Sequence, residues 1–536
     1  MRRARDPWQR LATTLGAVVA LAAGGSAASA TTQASSPSST PSWTVYHGAS
    51  DGNGAATSVA SVDLASPAWT SPALDGELYG EPLVSGGRIY VATENDTVDA
   101  LSASTGAVVW STHVGTPVPA ASLPCGDISP SVGITGTPVI DEARGELFVV
   151  ADELVNGSPT HLLVGLSLDA GTIELHQDVD PAGSTAAALL QRTGLTLDAG
   201  RVVFGFGGNF GDCSTYHGWV MSVPESGGTP ASFSVDSAPG ERQGAVWMGG
   251  AAPTVDANGN AWVTAGNGSV TSPSHAYDDS DSVLELSPAM KLQQYFAPSS
   301  WASDNARDLD MSTGVALLGN GQVVAASKSR RVFLLNGSSL GRIGGQQAQL
   351  GNACGDDIDG GAAVVGTTVY LPCQSGPIAV QVSASPASLH LLWSSSAGGG
   401  PPIVAAGLVW TMDSDGVLYG LNPSTGAVQE RAMIGAPANP FPTPSVGAGL
   451  LLASAATRVV AFKATSSTTP TSTPTTVVTA TTGRTTTTTS TAMATTTGSP
   501  ASSNPWVIAA AVAGGLVVLG GGAWLLWRRR RPPGGR

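Results

Sequence analysis

Internal repetition constrains this chain more than any single residue. Pro82 to Trp110 reads PLVSGGRIYVATENDTVDALSASTGAVVW. It parses as a strand, a turn at Gly86-Gly87, a strand, a turn at Asn95-Asp96, a strand ending at Leu101, a turn at Thr105-Gly106, and a strand ending at Trp110. Short β-rich runs separated by turn residues are hairpins in series. A near copy, IVAAGLVWTMDSDGVLYGLNPSTGAVQE, runs from Ile403 to Glu430. The apolar residue ending each third strand anchors the count: Leu101, Leu166, Val223, Leu286, Leu335, Val382, Leu421 and Phe462. The last unit lacks a fourth strand, and Ala68-Trp69-Thr70-Ser71 near the start supplies one. Pairing the two chain ends hides the open sheet edges. The expectation is an all-β, eight-bladed β-propeller over 43–464. A seven-bladed ring is the rival, should the weak unit at 192–235 be an insertion. Little helix is expected outside the chain ends.

The ends point to export. Arg2, Arg3, Arg5 and Arg10 precede an apolar run from Leu11 to about Ala23, and Ala28-Ser29-Ala30 follows. That order reads as a signal peptide over 1–30, with a linker at 31–42. Residues 465–504 are mostly Thr and Ser with scattered Pro, a composition that cannot bury a core and reads as a disordered stalk. Trp506 to Trp527 is uncharged, and at 1.5 Å per residue it would reach about 33 Å as a helix. A transmembrane helix is therefore expected at 505–527. Arg528 to Arg531 open a basic tail, 528–536, that the positive-inside rule keeps in the cytoplasm. The expected topology is single-pass type I, with an extracellular ectodomain at the cell membrane.

The whole chain carries a net charge of −14. Setting aside the four Arg and one Asp of 1–30 and the five Arg of the tail leaves 15 basic and 37 acidic residues, a net −22. Such a surface repels nucleic acid and anionic headgroups and suits cations, Ca²⁺ among them. Four cysteines in an exported chain suggest two disulfides, for which sequence allows three connectivities. Cys125–Cys213 and Cys354–Cys373 are expected, being the nearest pairs and free of crossing. No CxxC or His-rich spacing argues for zinc.

The repeats, best seen in DALSASTGAVVW and YGLNPSTGAV, resemble the quinoprotein alcohol-dehydrogenase-like propeller repeat. In that superfamily some members are dehydrogenases holding pyrroloquinoline quinone (PQQ) and Ca²⁺ in the propeller funnel, and others are binding or scaffold propellers. Four stretches are similar to the dehydrogenase elements and come in the same order. Asp212 lies before His217-Gly218-Trp219, where the resemblance implies a metal-binding carboxylate. Trp247 precedes a strand pair ending in Gly266-Asn267, similar to the stacking Trp and the Asn that ligates Ca²⁺. Asp308-Leu309-Asp310 is similar to the segment of the catalytic Asp. Lys328 precedes Arg331-Val332-Phe333, resembling the strand whose basic residue contacts the quinone. The chain departs from the pattern in lacking an adjacent Cys-Cys pair, in carrying a shorter and offset carboxylate at Asp212, and in having His217 where an Arg stands.

The incomplete set and the expected stalk favour, at this level, a membrane-anchored binding or scaffold propeller for an extracellular protein, glycan or small molecule. The alternative is a PQQ- and Ca²⁺-dependent oxidoreductase acting on an alcohol or sugar. It would use Asp308 or Asp310 as base, Asp212 and Asn267 on the metal, and Trp247 and Lys328 on the cofactor. The acidic run Asp278-Asp279-Ser280-Asp281 reads as a surface turn.

Overall fold

The computed structural model describes residues 42–466. They form eight blade sheets, each antiparallel through its blade strands, and one two-stranded sheet of Val118–Pro119 with Ser131–Val132. In the first, Leu83–Ser85, Arg88–Ala92, Thr97–Ser102 and Val108–His113 pair in sequence order. The same plan recurs over 139–178, 189–234, 254–297, 316–350, 363–394 and 403–433, and the eighth sheet is built on 445–466. All eight anchor residues lie in the third strand of their blade. The weak unit at 192–235 is a blade like the others, so the ring is eight-bladed. The only α-helix among the described residues is Trp301–Asn305.

Middle strands are buried on both faces because blades stack on one another, and they read as continuous apolar runs. Outer strands alternate, as in Val108–His113. The ring closes through Trp69–Thr70, which pairs antiparallel with Arg458–Ser466 in the register Trp69↔Ala461. Val59–Asp63 extends the same edge, pairing with Lys463 to Ser466. Sequence alone did not single out this second closing strand.

Blade-to-blade docking explains the Thr-Gly turns. The indole of Trp69 donates to Ala103 O (2.8 Å), and its ring covers Gly106 of blade 1. Trp110 does the same to blade 2, donating to Leu168 O (3.0 Å) over Gly171, and Trp393 to blade 7, donating to Pro423 O (2.8 Å) over Gly426. A Cβ at Gly106 would sit 2.4 Å from the Trp69 ring, and its φ of +71° lies in the left-handed region. Glycine is needed there on both counts.

Residues 43–56 line the central channel. Trp43 pairs with Val84 of blade 1, Thr44 O accepts from Ile140 N (2.8 Å) and Ser50 O from Val255 N (2.9 Å). Asn53 O accepts from Val364 N and Gly54 O from Val404 N (2.7 Å each). Ala55–Ala56 then adds to the inner strand of blade 7 in parallel. The stacked rings of Tyr46 and His47, 4.2 Å apart, thus sit inside the ring.

The expected membrane architecture needs correction. No helix of the described residues is long and apolar enough to cross a membrane. The expected signal peptide at 1–30, the Ser/Thr stalk, the span at 505–527 and the basic tail lie outside the described residues. The readings that rested on them, a type I cell-membrane localisation and a partnership with the membrane through a C-terminal helix, are therefore not carried forward. Cys125 is bonded to Cys213, and Cys354 to Cys373.

Candidate functional site

In an antiparallel blade, the turn from second to third strand and the crossing from fourth strand to the next blade share one face of the disc. Asp212, Asn267 and Lys328 sit on second-to-third turns of blades 3, 4 and 5. Trp247 and Asp308–Asp310 sit on the crossings into blades 4 and 5. All six residues therefore belong to one face.

Five of them form one chain of polar contacts. Tyr216 donates its hydroxyl to Asp212 Oδ1 (2.5 Å), and Asn267 Nδ2 donates to Asp212 Oδ2 (3.2 Å). The Asn267 N–H donates to Asp310 Oδ1 (2.9 Å). Lys328 Nζ donates to Asp310 Oδ2 (2.5 Å) and to Asp308 Oδ1 (3.3 Å). Asp310 is fully buried, whereas the Asp308 side chain is 72% exposed. The two candidate bases are thus in different environments.

Trp247 joins the group through its neighbours. Ala245 pairs with Gly266, the residue before Asn267, and Trp247 follows two residues on. Its indole N–H donates to Gly208 O (3.0 Å), and the ring is half-buried. The strand Arg201–Gly208 ends in glycines for this reason. A Cβ at Gly207 would lie 2.1 Å from the Trp247 nitrogen, and one at Gly208 2.1 Å from the Tyr216 ring.

Burial raises the Asp212 carboxyl above its usual range, opposed by the bonds from Tyr216 and Asn267. Burial alone would lower the Lys328 ammonium; Asp310, then Asp359 and Asp308, outweigh it and raise the group. Asp359 is fully buried and pushed up to about 6 by burial, with Lys328 the main opposing charge. It accepts from Ser312 Oγ in a short hydrogen bond. Asp359 and Tyr216 were not singled out in the sequence: an Asp in GDDIDGG and a lone Tyr carry no spacing signal, and only the fold brings them here.

The neighbours of this set can now be placed, and one sequence reading changes. His217 is turned to Asp236, its Nδ1 2.9 Å from Oδ1. The acidic run 278–281 is not a surface turn, since Asp278 and Asp281 are 2% and 1% exposed. Ser280 N–H and Oγ satisfy Asp278 Oδ1, and Asp281 Oδ1 accepts from Met311 N (3.1 Å), directly behind Asp310. Cys213, next to Asp212, is tied to Cys125 on the crossing between blades 1 and 2.

Among the described residues, no three His, Cys, Asp or Glu side chains could hold a metal ion by themselves. A cation here would take the Asp212 carboxylate and the Asn267 amide oxygen, and would need further oxygens from its ligand. An all-oxygen set suits Ca²⁺ rather than a soft metal. The half-buried Trp247 beside that set suits a planar group. The residues present thus fit a hard cation with a flat, oxygen-bearing cofactor.

A family described as outer membrane protein assembly factor BamB matches residues 55–276. No curated protein matches the sequence. Among solved structures, the quinohemoprotein alcohol dehydrogenase ADHIIG of Pseudomonas putida HK5 superposes with a TM-score of 0.59 at 12% identity, over 79% of this chain and 80% of that one. The quinohemoprotein alcohol dehydrogenase of Comamonas testosteroni gives 0.58 at 16%, over 79% and 80%. A europium-containing methanol dehydrogenase gives 0.57 at 13%, over 77% and 89%. At these identities the likeness is one of fold. Over residues 55–276 the chain is thus similar to the BamB family, and its β-propeller fold is like that of the quinohemoprotein alcohol dehydrogenases.

Proposed function

We propose that this propeller is a quinoprotein-type oxidoreductase that oxidises an alcohol or sugar. The observation that carries the reading is the polar chain from Asp212 through Asn267 and Asp310 to Lys328, drawn from three consecutive blades on one face. The expectation of a membrane-anchored surface scaffold is set aside: no described helix can span a membrane, no partner is identified, and the solved structures of like fold include dehydrogenases.

In this reading Asp212 and Asn267 hold the cation, Asp310 stands beside them, and Trp247 supports the flat cofactor. Bound there, PQQ with Ca²⁺ would supply the hydride acceptor and its Lewis acid. Asp310 is the base, taking the hydroxyl proton of the substrate at Oδ1 or Oδ2. Its burial strips water from the carboxylate, and the Lys328 ammonium fixes its direction. Asp308, largely in solvent, biases Lys328 and does not meet substrate. Lys328 has one donor left for a ligand oxygen, since an ammonium offers three and two go to Asp308 and Asp310.

The test is reduction of an electron-accepting dye by the full chain loaded with PQQ and Ca²⁺, across a panel of alcohols and aldoses. Asp310→Asn should lower the rate at least about 100-fold, the range of a lost general base. Dye reduction equal in Asp310→Asn and the parent, or absent with every substrate, would overturn the assignment.

A further inference from the structure

Blade 4 carries the longest second-to-third turn of the ring, residues 266–281, between Ala261–Ala265 and Ser282–Leu286. The turn folds back on the short helix Trp301–Asn305. Val270 and Tyr277 pack with Trp301 and Ala302, and the Tyr277 and Trp301 rings meet edge-on, 5.0 Å apart.

This contact encloses three oxygens that have no donor. Asp278 and Asp281 are buried, and each gives one oxygen to protein donors: Asp278 Oδ1 accepts from Ser280 N–H and Oγ, and Asp281 Oδ1 from Met311 N–H. In both residues Oδ2 is buried without a partner. Asn305 supplies the third oxygen, from a different element. Its Nδ2 donates to Val270 O and to Ser280 Oγ (2.9 Å each), while its Oδ1 is buried without a partner. The amide cannot be turned over, because Val270 O requires a donor.

The three side chains belong to one cluster. Ser280 Oγ is bonded to both Asp278 and Asn305. Tyr277 fixes Ser280 by donating to its carbonyl (2.8 Å). Gly268, next to Asn267, closes one side: a Cβ there would lie 2.5 Å from Ser280 Oγ and 2.7 Å from Asn305 Nδ2. Asp279 and Asp281 have φ of +62° and +42°, the left-handed region that is uncommon for non-glycine residues. The turn is thus held in a strained form with both carboxylates inside.

No cation of the protein answers them. Lys328 is engaged with Asp310 and Asp308, and Arg307 and Arg331 with Asp304. Among the described residues, no Lys, Arg or His lies within ion-pair distance of Asp278 or Asp281. The charges that act on Asp281 are those of Asp310, Asp304 and Asp278, all of its own sign. Buried carboxylates persist only with a compensating charge or donor.

We propose that Asp278 Oδ2, Asp281 Oδ2 and Asn305 Oδ1 bind a hard divalent cation of the Ca²⁺ class, at a second site separate from the Asp212–Asn267 pair. Two carboxylates and an amide oxygen are ligands of the kind Ca²⁺ takes, with water completing the shell. The third ligand is an amide, so the set does not need a third His, Cys, Asp or Glu. The cation ties the turn of blade 4 to the helix, and through Asp281 and Met311 N–H to the segment that carries Asp310. The inference does not rest on the oxidoreductase reading and holds with or without a quinone.

The test uses the full chain, stripped of metal by chelator and free of PQQ, with Ca²⁺ alone as the probe, followed by calorimetry and thermal shift. The parent should bind Ca²⁺ and melt at a higher temperature. Asp281→Asn keeps the side-chain volume and removes the charge, and should weaken binding at least about tenfold, while Asp212→Asn should stay within about twofold of the parent. Should Asp281→Asn fail to fold, Tb³⁺ luminescence decides. Emission excited through the aromatic side chains should fall in Trp301→Phe and persist in Trp247→Phe. A parent that binds no Ca²⁺ would overturn the site, as would equal affinity in Asp281→Asn and the parent. Affinity lost in Asp212→Asn, or Tb³⁺ emission lost in Trp247→Phe and kept in Trp301→Phe, would place the cation beside Trp247 and overturn it as well.

Discussion

Lys328→Met isolates the centre of the polar chain. The change keeps the length of the side chain and removes the ammonium that lies 2.5 Å from Asp310 Oδ2. Asp310 has no surface of its own, and its other oxygen has only the Asn267 N–H. The buried carboxylate is left without its counter-ion. Removing one partner of a buried pair costs about 3–5 kcal/mol, and the 21% exposure of Lys328 places the expected loss near about 3 kcal/mol. Asp308→Asn, which touches only the exposed arm, should change stability by less than about 0.5 kcal/mol. Adding Asp310→Asn to Lys328→Met removes the orphaned charge and should restore much of the loss, giving a coupling of about 2 kcal/mol. Urea unfolding in metal-free buffer reads each value from the midpoint at constant slope. If Lys328→Met costs less than about 0.5 kcal/mol, or the double variant is no better than the single, the pair does not organise the site. Ca²⁺ supplies a replacement cation, so it should stabilise Lys328→Met more than the parent.

Other consequences follow from the ring and its buried acids. Trp69→Ala deletes a ring that is 9% exposed together with its bond to Ala103, and should cost about 3–5 kcal/mol; an unfolding midpoint unchanged in the variant would contradict the closure. Asp96 is fully buried with neither carboxylate oxygen hydrogen-bonded, and burial, then Glu153, Asp152 and Glu94, push it up to about 9. Because the folded state keeps this proton while the unfolded chain releases it near pH 4, stability should fall as pH rises from about 4 to about 9, by at most about 1.4 kcal/mol per pH unit for this group. Asp96→Asn should flatten that decline and be the more stable form at pH 9; parallel pH profiles of variant and parent would refute it. Thiol titration of the denatured, unreduced chain should find no free cysteine, and a value near four would contradict both bridges.

The ring was legible because each blade is local. Hairpins within about forty residues write their turns and apolar runs into the sequence, and the final strand's missing neighbour pointed to Trp69. The candidate site was legible in part, through short ordered motifs at Asp212, Trp247, Asn267, Asp310 and Lys328. What separates Asp308 from Asp310 was not, since burial is a tertiary property and the two residues differ by two positions. The channel segment 43–56 carried no periodicity, because its partners are Val84, Ile140, Val255, Val364 and Val404, far away in the chain. The buried run 278–281 misled because acidic residues beside Ser read as a surface turn, whereas here backbone amides and a serine hydroxyl bind one oxygen of Asp278 and of Asp281 inside the protein.

The oxidoreductase proposal stands on the binding of a planar quinone beside a hard cation. The direct measurement is a fluorescence titration of the full chain with PQQ in the presence of Ca²⁺, repeated without the cation and with Trp247→Ala. Saturable quenching in the micromolar range or tighter is expected, dependent on Ca²⁺ and largely lost in Trp247→Ala, two residues from Ala245, which pairs with the neighbour of Asn267. No saturation at micromolar quinone with Ca²⁺ present, or quenching that Trp247→Ala leaves intact, would contradict it.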